Sequence, residues 1–319
     1  MSALGSGSSA AMAKLSTTDV VRAQLRGKRV RLGETAVTIL LLSTLLIALA
    51  VLVLLMVDIV RTAWPVISTR PGSFITSTNS TFPETAGIKQ ALIGSLLMMV
   101  FVVVLAFPLG IGAAVYLEEY AKDTRFTQFL QTNIRNLAGV PSIVYGLLGL
   151  AIFCDFLSKL TGGFTLLSGG LTLAILVLPI VIITASEALR AVPQSIREAG
   201  FGVGATQWEV IRSHVVPSAA PGILTGTVLT VARAFGEAAP LLLVGAVTGF
   251  FSSGGASFLE QIRQNHGYTA LPIIIFSWAR LPNVDFRALT AAAIVVLLIV
   301  LLTMNATAII LRNRYERTW

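Results

Sequence analysis

Long apolar runs separated by polar stretches dominate this chain. Residues 36–57 carry no charge and are mostly Leu, Val, Ile and Ala. That length spans a bilayer and exceeds the core of a signal peptide, and no small-residue cleavage site follows it. Further runs lie at Ala91–Leu117, 137–157, 166–186, from Ser218 to a disturbance at Pro240, and at 288–311. The pattern predicts an all-α membrane protein with six transmembrane helices. Pro108, Gly110 and Gly112 predict a kink in the second span, and Pro179 sits inside the fourth.

The polar segments give the organisation. Residues 1–35 begin rich in Gly, Ser and Ala and end in a basic run, Arg22, Arg26, Lys28, Arg29 and Arg31, which reads as a terminal tail. Residues 58–87, with Pro65, Pro71 and Pro83, read as a loop, and 88–311 as the main membrane core. Within the core, 118–134 reads as a charged loop, 187–217 as a central polar loop and 248–284 as another loop. Residues 312–319 form a short basic tail. Trp64, Tyr120, Trp278 and Tyr315 fall near span ends and read as membrane-interface anchors, and Asp155 as a solvated end residue.

Composition narrows the class. The chain is 55% hydrophobic and 12% charged, about half the charged fraction of soluble domains. The net charge of +8 is spread around the apolar runs rather than gathered in one nucleic-acid patch. Fifteen Lys and Arg lie on the side of the termini and the 187–217 loop, and seven on the other, with Arg233 set aside. That asymmetry predicts cytoplasmic termini and a cytoplasmic central loop, with 58–87 and 248–284 external. Cys154 is the single cysteine, so no intrachain disulfide can form. His214 and His266 lack metal-like neighbours, and no metal site, catalytic residue or resident cofactor is expected.

The central loop carries local structure signals. Ser195 with Glu198, and Thr206 with Glu209, have the spacing of capping boxes. Gly204 between them suits a tight turn. Two short helices are predicted, at about 195–203 and 206–216. A second constellation is Arg233-Ala234-Phe235-Gly236-Glu237-Ala238-Ala239-Pro240. Arg233 is eleven residues beyond Gly222, roughly 16 Å into a ~30 Å apolar layer. A charge there faces a bundle interior or an aqueous path. Glu237 lies at i+4, and Gly226, Thr230, Arg233 and Glu237 share a face. That face either lines a path for an anion or holds a structural ion pair between helices.

The loop spacing Glu198-Ala199-Gly200, three residues, Gly204, nine residues, His214-Val215-Val216-Pro217 resembles the EAA loop of ABC-importer permeases. Glu198, Ala199, Gly204 and Pro217 match; Gly200, His214 and Val216 replace Ala, Ile and Leu. Leu137-Ala138-Gly139-Val140-Pro141-Ser142-Ile143-Val144-Tyr145-Gly146, the 232–242 stretch and Thr269-Ala270-Leu271-Pro272-Ile273-Ile274-Ile275 narrow the resemblance. Over about 88–311 the chain resembles the PstA family of phosphate-importer permeases, with Phe235 and Ala238 where Ile and Thr are common. The resemblance implies a type I ABC importer permease fold and a loop that docks on a separate ATPase. It implies a PstC-like partner permease, a PstB-like ATPase dimer carrying ATP and magnesium, and a PstS-like external phosphate-binding protein. It also implies a bacterial cell membrane. The absence of a Gly-x-x-x-x-Gly-Lys-Ser/Thr loop fits a chain that does not hydrolyse ATP. The alternatives are an importer permease for molybdate or sulfate, an ion-coupled secondary carrier, and a non-transporting membrane scaffold or sensor.

Overall fold

The computed structural model describes residues 32–246 and 268–315. Among these residues the secondary structure is helical apart from one isolated bridge, Ala246 to Tyr268. The chain divides into two units, Met1–Asp58 and Ile59–Trp319. Helix α1 (Leu32–Thr69) crosses that boundary in sequence. In the first unit its Leu, Ile and Val side chains are exposed, as suits a helix solvated by lipid.

The second unit contains α2 (Pro71–Thr76), α3 (Lys89–Tyr120), α4 (Arg125–Ala138), α5 (Ser142–Phe156) and α6 (Leu166–Arg190). Then follow α7 (Gln194–Gly202), α8 (Gln207–Gly236), α9 (Ala239–Leu243), α10 (Leu271–Ala279) and α11 (Asp285–Tyr315). Five of the described helices are long and apolar enough to cross a membrane. The pair α4 and α5 qualifies only together and is bent by 101°.

Helix α6 is the centre of this unit, packing against α3, α4, α5 and α8. Thr165 caps its start by accepting from the Ser168 N–H at 3.3 Å. Small residues bring its neighbours close. A Cβ on Gly226 of α8 would stand 2.5 Å from Thr184 Cβ, so only glycine allows this α6–α8 contact. The larger buried cluster includes Met98, Leu173, Leu271, Ile274 and Leu289. A smaller one, with Leu117, Ile182, Leu189, Val192, Val210 and Ile223, lies at the central loop.

Several boundaries differ from the sequence reading. Helix α1 continues through Pro65 to Thr69, so 58–69 is helix rather than loop. The segment read as a charged loop is helical from Arg125, because Thr124 caps α4 by accepting from the Thr127 N–H. The run read as the third span, from about 137, is therefore broken between α4 and α5. Pro141 lacks an N–H and is itself extended, with ψ 137°, which breaks the helix there. Pro108 does not interrupt α3. A π-helical turn at Val102–Ala106 precedes it and absorbs the missing backbone bond. Within the segment read as the 248–284 loop, α10 is a buried helix, and residues 247–267 lie outside the described residues. Trp278 is buried, not an interface anchor. Its ring packs with Phe74 and Phe286, and its indole N–H donates to Asn79 Oδ1 at 3.3 Å. Trp64 and Tyr120 are exposed, as is Asp155. Burial of Trp278 follows from tertiary contact, which span-end position alone cannot specify.

Candidate functional site

The central loop folds as a helical hairpin. Helix α7 ends in a Schellman arrangement: the Ala205 N–H donates to the Gly200 carbonyl at 3.2 Å and the Gly204 N–H to the Phe201 carbonyl at 3.0 Å. Gly204 has φ +83°, the left-handed region that L side chains avoid. Thr206 and Glu209 form the capping box that starts α8. Ser195 and Glu198 do not form theirs. Pro193 delivers an extended chain and becomes the N-cap, so Ser195 falls inside the first turn. The second short helix is also not separate. It runs on through a π turn at Ile211–Val215, just before Pro217, into the rest of α8. The second arm of the hairpin is thus the first part of a 30-residue helix.

The two arms pack on each other through Gly200 and Val210. A Cβ at Gly200 would sit 2.7 Å from Val210 Cγ2, which gives a physical reason for Gly in place of Ala. His214 is exposed, and the packing contacts come instead from Val210 and Val215. Glu198 and Ala199 are exposed, and Pro217 lies where the π turn gives way to α-helix. The sequence reading missed an exposed apolar group on this polar hairpin: Phe201, Trp208 and Val203, the last 84% exposed. Exposed apolar side chains at such positions are candidates for contact with a partner chain. The sequence did not single them out, because Val210, Ile211 and Val215 in the same loop are equally apolar and only packing buries those.

Gly204→Pro is expected to abolish the hairpin. It removes the N–H bonded to Phe201 and cannot adopt φ +83°. Gly204→Ala retains the N–H and should cost only about 1–2 kcal/mol. Limited proteolysis of purified protein should show new cleavage near 204 in the proline variant alone.

The second candidate lies at the other end of α8. Arg233 is in its last turn, where a cation complements the negative dipole end. Glu237 is the C-cap, with extended backbone. Arg233 Nε lies 3.6 Å from Glu237 Oε1, with side-chain exposures of 56% and 18%. This pair joins a helix to its own cap, so it does not lock two helices together. Gly226 faces α6 and Thr230 is buried, whereas Arg233 projects outward. Thus the four residues read as one face divide between packing and exposure. The break after Gly236 is built by Pro240, whose Cα would lie 2.7 Å from a Cβ on Gly146 of α5. Two of the sequence stretches quoted above therefore meet. The third meets α3: the Leu271 N–H donates to Ser95 Oγ at 2.8 Å, and the Thr269 carbonyl crowds Gly94. Among the described residues no His, Cys, Asp and Glu group has the arrangement of a metal site.

Residues 106–316 match the family model described as "Binding-protein-dependent transport system inner membrane component". The chain belongs to that family. The permease is 33% identical over 288 residues to the phosphate transport system permease protein PstA 1 of Mycobacterium tuberculosis (strain CDC 1551 / Oshkosh), covering 89% of this chain and 90% of that one. It is 36% identical over 176 residues to the probable ABC transporter permease protein YqgI of Bacillus subtilis (strain 168), which is 55% of this chain but only 58% of that relative. A crystal structure of a bacterial alginate ABC transporter, with an alginate pentasaccharide-bound periplasmic protein, contains a chain that superposes with TM-score 0.63. That match covers 94% of this permease and 98% of that chain at 15% identity, so it shows the fold alone. The fold is that of a type I ABC importer permease, a multi-pass membrane subunit whose family works with a separate ATPase and a substrate-binding protein.

Proposed function

We propose that this permease imports inorganic phosphate, forming one half of a translocation path with a PstC-like partner permease. A PstB-like ATPase dimer drives it, and a PstS-like external protein delivers the anion. The observation that carries the reading is the match to PstA 1 across 89% of the chain, together with an exposed Arg233 in the last turn of α8. Five guanidinium N–H donors in a planar set suit phosphate oxygens. The match to PstA 1 and the outward projection of Arg233 support a path completed by the partner permease. ATP and magnesium act on the ATPase subunits, and this chain contributes motion and a path. Closure of the ATPase pushes the hairpin, α8 moves as one body, and phosphate crosses without covalent change.

Uptake of labelled phosphate by the complete complex tests the substrate. Excess unlabelled phosphate should compete, and equal molybdate or sulfate should not. Stronger competition by either of those would assign the permease to that oxyanion.

The same reading places the core at 88–311 with its 187–217 loop in the cytoplasm, along with both termini. The basic-residue asymmetry supports this. Single cysteines at Ser195 and Ser73, each without Cys154, can be tested with an impermeant thiol reagent on intact bacterial cells. Position 73 is expected to label and position 195 to stay protected. The reverse result would overturn the orientation.

A further inference from the structure

Four helix ends converge on one ion pair beneath the hairpin. Glu119 lies on the last, π-helical turn of α3, and Arg197 lies on α7. Arg197 binds Glu119 with two parallel bonds, Nη2 to Oε1 at 2.7 Å and Nε to Oε2 at 3.2 Å. The same guanidinium donates from Nη1 to the Val192 carbonyl at 2.8 Å and from Nη2 to the Leu189 carbonyl at 3.0 Å. Those carbonyls lie at and just beyond the C-terminal end of α6, and the Leu189 carbonyl also accepts from the Val192 N–H at 3.2 Å. The Gln207 side-chain amide donates to the Glu119 carbonyl, bringing in the first residue of α8. The Arg197 and Glu119 side chains are 14% and 7% exposed, and Leu117, Leu189, Val192 and Val210 pack nearby.

Burial changes what this pair can do. Two parallel charge-assisted bonds fix orientation as well as distance. Partly buried, they are screened less than an exposed pair. A neighbouring pair provides a comparison. Arg190 binds Glu118 through Nε at 2.7 Å and Nη2 at 2.9 Å, but its guanidinium is exposed and it joins only α3 and α6. Arg197 supplies the charged link from the hairpin to that junction, beside the single Gln207 bond to the Glu119 carbonyl. Without it, the direct covalent connection from α7 to α6 is the short segment 191–193.

We propose that Arg197 is the positioning residue through which movement of the hairpin reaches α3 and α6. The proposal rests on the reading of this chain as an ATPase-driven permease. The docking face, with Phe201, Val203 and Trp208, receives the push; Arg197 and Glu119 convert it into a joint movement of the membrane helices.

The test uses the complete importer in proteoliposomes, with ATP hydrolysis and phosphate uptake measured on the same preparation. Arg197→Gln is expected to keep the ATPase bound and hydrolysing while phosphate moved per ATP falls roughly tenfold, the scale of a coupling change. Arg197→Lys, which keeps the charge but not the fork, should fall between it and wild type. Arg190→Gln should stay near wild type, because an exposed pair contributes little. Glu119→Gln opens the joint from the other side while leaving both carbonyl bonds of Arg197, and should show the same split. Hydrolysis and uptake falling in equal proportion, an unchanged ratio in both Arg197→Gln and Glu119→Gln, or failure of both to assemble would overturn the proposal. A wild-type complex that hydrolyses ATP but imports no phosphate would overturn the phosphate-import reading, and this proposal with it.

Discussion

Arg233→Met is expected to lower phosphate uptake by about a hundredfold, the loss of one or two hydrogen bonds to a charged group, while the permease still inserts and assembles. The fold does not depend on this charge. Its 3.6 Å contact with Glu237 spans one helical turn and leaves Arg233 mostly exposed; such pairs are worth about 0.3–0.5 kcal/mol. Arg233→Lys keeps the charge and loses the planar donor set, so partial uptake is expected. Glu237, less exposed and fixed at the helix break, can hold Arg233 between cycles and weaken its hold on the anion. A weak site suits a transporter, since a deep one would trap its cargo. The decisive variant is Arg233→Met with Glu237→Gln, which removes both charges. If Arg233 serves the anion, the assembled double variant stays inactive. Near-normal uptake by that variant would reduce Arg233 to a helix-end cation.

Placing Asp at both Phe201 and Trp208 is expected to release the ATPase from the permease. Each side chain is exposed on the hairpin and supports none of the buried clusters, so folding should survive. Buried aromatic anchors at protein interfaces commonly contribute about 2 kcal/mol or more each. Loss of both, with added charge, should weaken association by roughly a thousandfold or more. Co-purification of the ATPase with tagged permease measures this, and thermal unfolding of the permease alone checks that the fold is intact. Undiminished co-purification, with phosphate uptake preserved, would remove this face from the docking surface.

The two predictions draw on different kinds of information. Arg233 and Glu237 were legible as a pair because i+4 spacing on a helix places side chains together whatever surrounds them. The capping box at Thr206 and Glu209 and the turn at Gly204 were legible for the same reason: their partners lie within a few residues. Apolar run length likewise identified the membrane class, since a bilayer imposes a length that the sequence displays directly; six spans were expected, and among the described residues five helices qualify, or six with the bent pair α4 and α5. Pro141 could have placed the break between α4 and α5 from local rules alone.

What tertiary structure decided involves partners distant in sequence. The π turns that carry α3 through Pro108 and α8 through Pro217 depend on how neighbouring helices hold the backbone. Trp278 looked like an interface residue until α10 proved to be packed inside. The pair Glu119 and Arg197, 78 residues apart, had no sequence signal beyond two charges in two polar stretches. Local geometry follows from the order of residues, because the chain itself sets those distances. Contacts between helix ends follow only when α3, α6 and the hairpin have come together.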